Sequence, residues 1–223
     1  MTDTIAVIGG SGNLGAALAR RWAKAGCRVV IGSRDPAKAA AAAARLAAEL
    51  GVEVGSGGNL DAARQAAVVV VAVPFASQLQ VLQEIKPGLE GKVVIDTTVP
   101  LMPPKVARVQ LPPEGSAAQR AHKLLGEGVK LVSAFHNVAA HRLATDEEVE
   151  CDVLVFGDDR QARAVAVDLA GRAGLRGLHA GALANAAAAE ALTSVLIFVN
   201  KTYRVDGAGF RITGKLEMDR AAE

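Results

Sequence analysis

Ile5-Ala6-Val7-Ile8, a β-branched run, breaks into Gly9-Gly10-Ser11-Gly12-Asn13-Leu14-Gly15, after which apolar residues recur at Leu14, Leu18, Trp22 and Ala25. No other stretch constrains the fold as tightly. The spacing predicts a strand, a tight turn and a helix over Asn13 to Ala25. Within it, Gly10 to Gly15 has the form G-x-G-x-x-G. Gly10 permits the tight turn, Gly12 lets the backbone approach a pyrophosphate, and Gly15 allows the helix to pack closely on the strand. The helix N-terminus offers unpaired N–H groups to the anion. The plainer alternative, a glycine-rich connection with no ligand, is disfavoured by the strand and helix on either side.

The rest of the chain continues the strand–helix alternation. Arg28 to Ile31 reads as a second strand, and Asp35 caps an alanine-rich helix running to about Leu50, with Pro36 at its first position. Val52 to Val54, Val68 to Val73, Val93 to Asp96 and Lys130 to Ser133 supply four more strands. Strands this uniformly apolar belong to a sheet covered on both faces, so the expected fold is Rossmann-like: a doubly wound, mostly parallel sheet. Pro100, Pro103, Pro104, Pro112 and Pro113 make residues 100–113 an irregular connection.

Beyond His141 the pattern changes: a strand at Asp152 to Phe156, a helix at Asp159 to Ala173, and an apolar helix from Ala182 to about Tyr203. That last helix carries Leu183, Ala187, Ala191, Leu192, Val195, Leu196 and Val199 around much of its circumference, which calls for a core or a subunit interface. The expected division is a dinucleotide-binding domain at 1–145 and a smaller C-terminal α/β cap at 146–223, whose apolar helix closes the cleft.

The end of the second strand selects the nucleotide. A carboxylate there holds the ribose of NAD, whereas small polar and cationic residues receive the 2′-phosphate of NADP. This chain has Gly32-Ser33-Arg34 followed by Lys38, so NADP(H) is expected. In the alternative, Arg34 and Lys38 are solvated and Asp35 grips the ribose of NAD.

Lys and Arg total 25 against 23 Asp and Glu in 223 residues, a balance of +2 that excludes a protein devoted to nucleic acid. Cys27 and Cys151 form no disulfide framework and no zinc motif. Met1-Thr2-Asp3-Thr4 is acidic and runs straight into a short strand, and the apolar stretch Ala66 to Ala76 is too short to cross a bilayer. A cytoplasmic protein with no membrane partner is expected.

A nucleotide site still needs a reaction, and catalytic sets are few. Tyr203 lacks a lysine four positions on, and Ser11 is not in a nucleophile elbow. His122, His136, His141 and His179 have no metal-ligand spacing, so no metal is expected. His136 follows a strand end and either lines the site or is simply hydrogen-bonded in a loop. Thr97 and Thr98 either bind ligand or end their strand, and Gly157-Asp158-Asp159 reads as a turn and N-cap.

With these pieces placed, the chain resembles the NADPH-dependent coenzyme F420 reductases, the 8-hydroxy-5-deazaflavin:NADPH oxidoreductases. The resemblance rests on the glycine turn, Gly32-Ser33-Arg34 with Lys38, Val73-Pro74-Phe75, Val99-Pro100, Ser116-Ala117-Ala118, Val132 to Ala140, Gly157-Asp158-Asp159, Asp168-Leu169, Ala180 to Asn185 and Glu190 to Thr193. It implies that Ser11, Gly12, Asn13 and Leu14 hold the pyrophosphate, and that Ser33, Arg34 and Lys38 hold the 2′-phosphate. Val73, Ser77 and Ala140 then hold the remainder of NADP, with Pro74, Val99 and Pro100 in the same matching segments. His136 and Val138 border the nicotinamide–deazaflavin junction, and the tail around Gly209-Phe210 closes over it. The family exchanges hydride between reduced deazaflavin and NADP, in either direction, and is typically dimeric.

Asn137 stands where the family tends to have Thr, and His179-Ala180-Gly181-Ala182-Leu183 where it tends to have Asp-Ala-Gly-Pro-Leu. Two hydride carriers need only be brought face to face, which agrees with the shortage of acids and bases. Two other readings compete: an NADPH-dependent reductase of a small imine or ketone, with His136 as the ready proton donor, and a non-catalytic NADPH-sensing module.

Overall fold

A computed structural model describes residues 4–217. Its elements run β1 (Ile5–Ile8), α1 (Asn13–Lys24), β2 (Val29–Ser33), α2 (Pro36–Leu50), β3 (Gly55–Gly58), α3 (Asn59–Gln65), β4 (Val68–Val71) and α4 (Phe75–Ile85). They continue with β5 (Val93–Asp96), α5 (Ala117–Leu125), β6 (Lys130–Ser133), α6 (Ala140–Leu143), β7 (Asp152–Gly157), α7 (Arg160–Arg172), β8 (Arg176–His179) and α8 (Ala186–Tyr203). The sheet order is β3-β2-β1-β4-β5-β6-β7-β8. Pairing is parallel from β3 across to β6; β7 then runs antiparallel to β6, and β8 is parallel to β7. The Rossmann-like doubly wound fold is therefore present, and β7, β8, α7 and α8 form its smaller C-terminal α/β part.

Each sheet face carries its own core. Val7, Leu18, Trp22, Ile31, Phe135 and Val153 belong to one cluster, and Ile8, Val69, Val71, Leu82, Leu131 and Leu183 to the other. Alternate residues of the fully buried β1 thus serve opposite layers, as a strand covered on both faces requires. Trp22 joins the two halves of the chain: its indole N–H donates to the Leu169 carbonyl of α7 at 2.8 Å, and its ring meets Phe135 edge-on at 5.9 Å.

Local chemistry sets the boundaries. Asp35 accepts from the amides of Ala37 and Lys38 and opens α2, and Gly51, at φ 68°, closes it. The strand expected at Val52 to Val54 lies instead at Gly55–Gly58. A Cβ on Gly55 would stand 3.0 Å from Val30 Cγ2, so this edge strand pairs through small residues. The strand expected to reach Val73 ends at Val71, and the last helix begins at Ala186 after a 3-10 turn at Leu183–Asn185. Residues 100–113 form an irregular connection, and Asp159 caps α7 by accepting from the Ala162 amide.

Because β7 runs backwards, its first residues lie at the sheet edge where β1 to β6 end. Asp152 is held there by a bidentate pair with Arg176, both contacts at 2.7 Å, and it accepts the Ile212 amide at 2.6 Å. Its own N–H donates to the Phe210 carbonyl, so the tail from Gly209 to Ile212 lies along the start of β7. Upstream, Gly207 packs against Ala139 and Arg142. In length and composition, Leu183–Tyr203 would suffice to cross a membrane. Its first half is nevertheless anchored in the protein by Ala186, Ala189, Glu190 and Ser194, while Val195, Phe198 and Tyr203 are exposed.

Candidate functional site

The turn after β1 is shaped by steric limits on its backbone. Gly9 sits at φ +83°, and a Cβ there would lie 2.4 Å from the Ala72 carbonyl oxygen. A Cβ on Gly10 would come within 2.9 Å of the Val7 carbonyl, and one on Gly15 within 2.5 Å of the Gly9 carbonyl. Gly12 differs: its missing Cβ would meet only Gly9 O at 3.3 Å, which leaves that side open for a ligand. No side chain caps α1 and no acid stands in its first turn. Its leading amides thus form a cradle suited to a pyrophosphate.

Beside the turn is a cavity of about 170 Å³ that brings Ser11 and Gly12 together with Ser33, Arg34, Val73, Pro74 and Ser77, all seven of them residues expected at the site from sequence. Ser33 is the last residue of β2 and pairs in register with Gly58 of β3. The Asp35 carboxylate is turned to α2, where Oδ1 accepts from Ala37 and Lys38. That leaves Ser33 and Arg34 to face whatever occupies the strand end. Lys38 is 74% exposed, 3.9 Å from Asp35 Oδ2, and stands outside the cavity lining. Hydroxyl, guanidinium and amide donors in this arrangement fit a phosphorylated dinucleotide.

A second groove of about 610 Å³ shares Ser11 and Gly12 with the cavity, is lined further by Gly10 and Asn13, and is flanked by Ala140, His141 and Arg45. Leu14 is half-buried against the core below it. Val99 and Pro100 follow β5, and His136 and Val138 follow β6; none of the four lines either cavity. Thr97 ends its strand, donating from its hydroxyl to the Val71 carbonyl at 3.1 Å.

His136 is buried, with Nε2 2.7 Å from the Ser133 hydroxyl oxygen. Burial drives its pKa down to about 4, so the ring is neutral at neutral pH. The preceding residue, Phe135, adopts φ +65°, a conformation that side chains other than glycine seldom take. The loop is held in that shape from α8: Thr193 donates its hydroxyl to the His136 carbonyl at 3.0 Å, and Asn137 Nδ2 donates to the Ala189 carbonyl at 2.9 Å and to Thr193 Oγ1 at 3.0 Å. Asn137 is thus a clasp between the loop and α8.

A second buried polar group fastens α8 to α5. The Glu190 carboxylate accepts from Ala117 N at 2.6 Å and Ala118 N at 3.0 Å, and burial raises its pKa to about 8. Close by, Gln78 donates to both the Asp96 carboxylate and the Ala117 carbonyl, and desolvation raises Asp96 as well. Local sequence pattern does not mark Asn59, Gln78 and Glu190 as buried, because a polar residue in a helical stretch gives no signal of its burial. For Asn59, the glycine run just before it was the available clue. Among the described residues no cluster of His, Cys, Asp or Glu is placed to hold a metal ion.

Known proteins align with this geometry. Residues 4–100 match the family described as NADP oxidoreductase coenzyme F420-dependent. The F420-dependent NADP reductase of Methanothermobacter thermautotrophicus is 42% identical over 228 residues, covering 98% of each chain. That of Methanocaldococcus jannaschii is 38% identical, covering 94% of this chain and 97% of its own. A crystal structure of an Arthrobacter sp. FB24 protein, provisionally described as an F420-dependent NADP-reductase, superposes with a TM-score of 0.79 at 26% identity. It covers 95% of this chain and 100% of the other.

Proposed function

Since the chain belongs to the coenzyme F420-dependent NADP oxidoreductases, we propose that it exchanges hydride between NADP(H) and coenzyme F420. When bound, NADPH would supply the hydride to a ring carbon of the deazaflavin, and the proton that the reduced ring takes up on nitrogen would come from solvent. The protein's part is to seat the two and exclude water. The amides and Ser11 hydroxyl of the first turn hold the pyrophosphate, and Ser33 and Arg34 receive the 2′-phosphate, with Lys38 adding a distant charge. Val73, Pro74 and Ser77 bound the nucleotide on the β4 side, and Ala140 on the α6 side. Val99, Pro100, His136 and Val138 form the wall at the ends of β5 and β6, where the two rings meet. In this reading residues 1–145 bind NADP, and 146–223 contribute α8 as the cover and the Gly209-Phe210 tail as its rim.

The carrying observation is the cavity that joins Gly12 to Ser33 and Arg34 while Asp35 is committed to capping α2. A buried, neutral His136 held by Ser133 also weighs against reduction of an imine or ketone, which needs a proton from the protein. The exposed apolar residues of α8, Val195 and Phe198, support a homodimer in which a second copy covers them. Two buried, unpaired cysteines suit the cytoplasm. The test mixes purified protein with oxidised F420 and either NADPH or NADH. The deazaflavin absorbance should fade with NADPH and persist with NADH; persistence with both overturns the proposal.

A further inference from the structure

Asn59 opens α3 directly after the glycine-rich β3, and the Ser33–Gly58 register places it beside the strand end that carries Ser33 and Arg34. It is 2% exposed and lines the same cavity. Its Nδ2 donates to Glu84 Oε2 of α4 at 3.0 Å, whereas Oδ1 is buried with no hydrogen-bond partner. A carboxylate can only accept, so Glu84 dictates which end of the amide is nitrogen and which is oxygen. The result is a fixed, unpaired acceptor at the adenosine end of the site. Buried acceptors of this kind are rarely left unsatisfied, and one held in a binding cavity calls for a donor from the ligand.

We infer that Asn59 is a specificity-determining residue that reads the exocyclic amino group of adenine, with Glu84 as the positioning residue that sets its polarity. The inference rests on the NADP reading above and goes beyond it by assigning recognition of the base. That amino group is the only N–H donor on the adenine ring as it occurs in a nucleotide. In the hypoxanthine analogue a carbonyl replaces it, and two acceptors would then face each other. The Asn59 amide cannot turn over to meet that carbonyl, because its oxygen would then confront the Glu84 carboxylate.

Calorimetric titration of the intact protein with NADPH and with its hypoxanthine counterpart tests this, since the two share every sugar and phosphate. The wild-type chain should bind NADPH about tenfold tighter. Asn59→Ala should bring the ratio close to one. Glu84→Gln, a gentler change, should do so by improving affinity for the hypoxanthine nucleotide, because a glutamine amide can serve Asn59 in either orientation. A ratio near one in the wild type, or an unchanged ratio in Glu84→Gln, overturns the assignment. Failure of the wild type to bind NADPH at all overturns the nucleotide reading beneath it.

Discussion

Between Gly9 and Gly15 the chain shapes its site chiefly with backbone, and apart from the Ala72 carbonyl behind Gly9 and Ile31 behind Gly10 the residues involved are close neighbours in sequence. Between Ser133 and Thr193 it does so with side chains, joining a strand end, a loop and a helix about sixty positions apart. The first region is rigid because a carbonyl or an α-carbon occupies the space where a Cβ would go. The second is held by a few buried polar contacts: Glu190 on the α5 amides, Asn137 on Ala189, and Thr193 on His136. A backbone cradle tolerates almost no change at its glycines, whereas a polar clasp depends on every partner being present and in the right protonation state.

The sharpest way to break the first region is Gly9→Ala. A methyl 2.4 Å from Ala72 O, at φ +83°, must displace backbone. Strain and overpacking together should cost roughly 3–5 kcal/mol, read as a lower urea midpoint, and NADPH binding should be lost in the same protein. Retained affinity would show the turn to be less constrained than its geometry implies.

The corresponding break in the second region is Glu190→Ala, which orphans the buried Ala117 and Ala118 amides. The expected loss is about 3 kcal/mol in urea denaturation, with the pyrophosphate half of the site still able to bind NADPH. If both variants lose nucleotide equally, the two regions do not act separately.

Replacing Arg34 and Lys38 by Ala sharpens the comparison within the first region. NADPH affinity should fall by about 2 kcal/mol while NADH affinity barely changes, with Arg34 accounting for most of the effect because Lys38 stands outside the cavity. Parallel titrations with the two nucleotides decide it.

The smallest effect is a pH slope confined to the second region. Burial lifts Glu190 from 4.5 to about 8, so the folded chain keeps a proton that the unfolded chain releases. That contribution to stability is complete below about 4.5 and is lost as pH rises toward 8. His136 works the other way: depressed from 6.5 to about 4, it contributes stability above 6.5 that is lost as pH falls toward 4. The two oppose each other below 6.5, and only Glu190 of this pair acts between 6.5 and 8. Urea midpoints should therefore decline over that upper window in the wild type and decline less steeply in Glu190→Gln, where buried Asp96, also raised by desolvation, remains.

The same contrast explains how far the sequence could be read. The strand–turn–helix at Ile5 to Lys24, the capped α2 and the cationic end of β2 were legible because each is specified by neighbours in sequence. β3 was displaced from its expected position because an edge strand of Gly-Ser-Gly-Gly carries no apolar signal, and β8 went unplaced because Arg176-Gly177-Leu178-His179 has none either. His136 was singled out but its neutrality was not, since that follows from burial under α8. Glu190 and Gln78 look like ordinary polar residues of helices until tertiary packing buries them.

The central claim is that this chain aligns two hydride carriers and contributes no proton of its own. Carrying out the reaction with NADPH deuterated at the transferring position of its nicotinamide, in ordinary water, tests this most directly. Mass spectrometry of the reduced F420 should find the deuterium retained, as direct ring-to-ring transfer requires. Deuterium lost to solvent, or reduction that proceeds only through a protonated group on the enzyme, would contradict it.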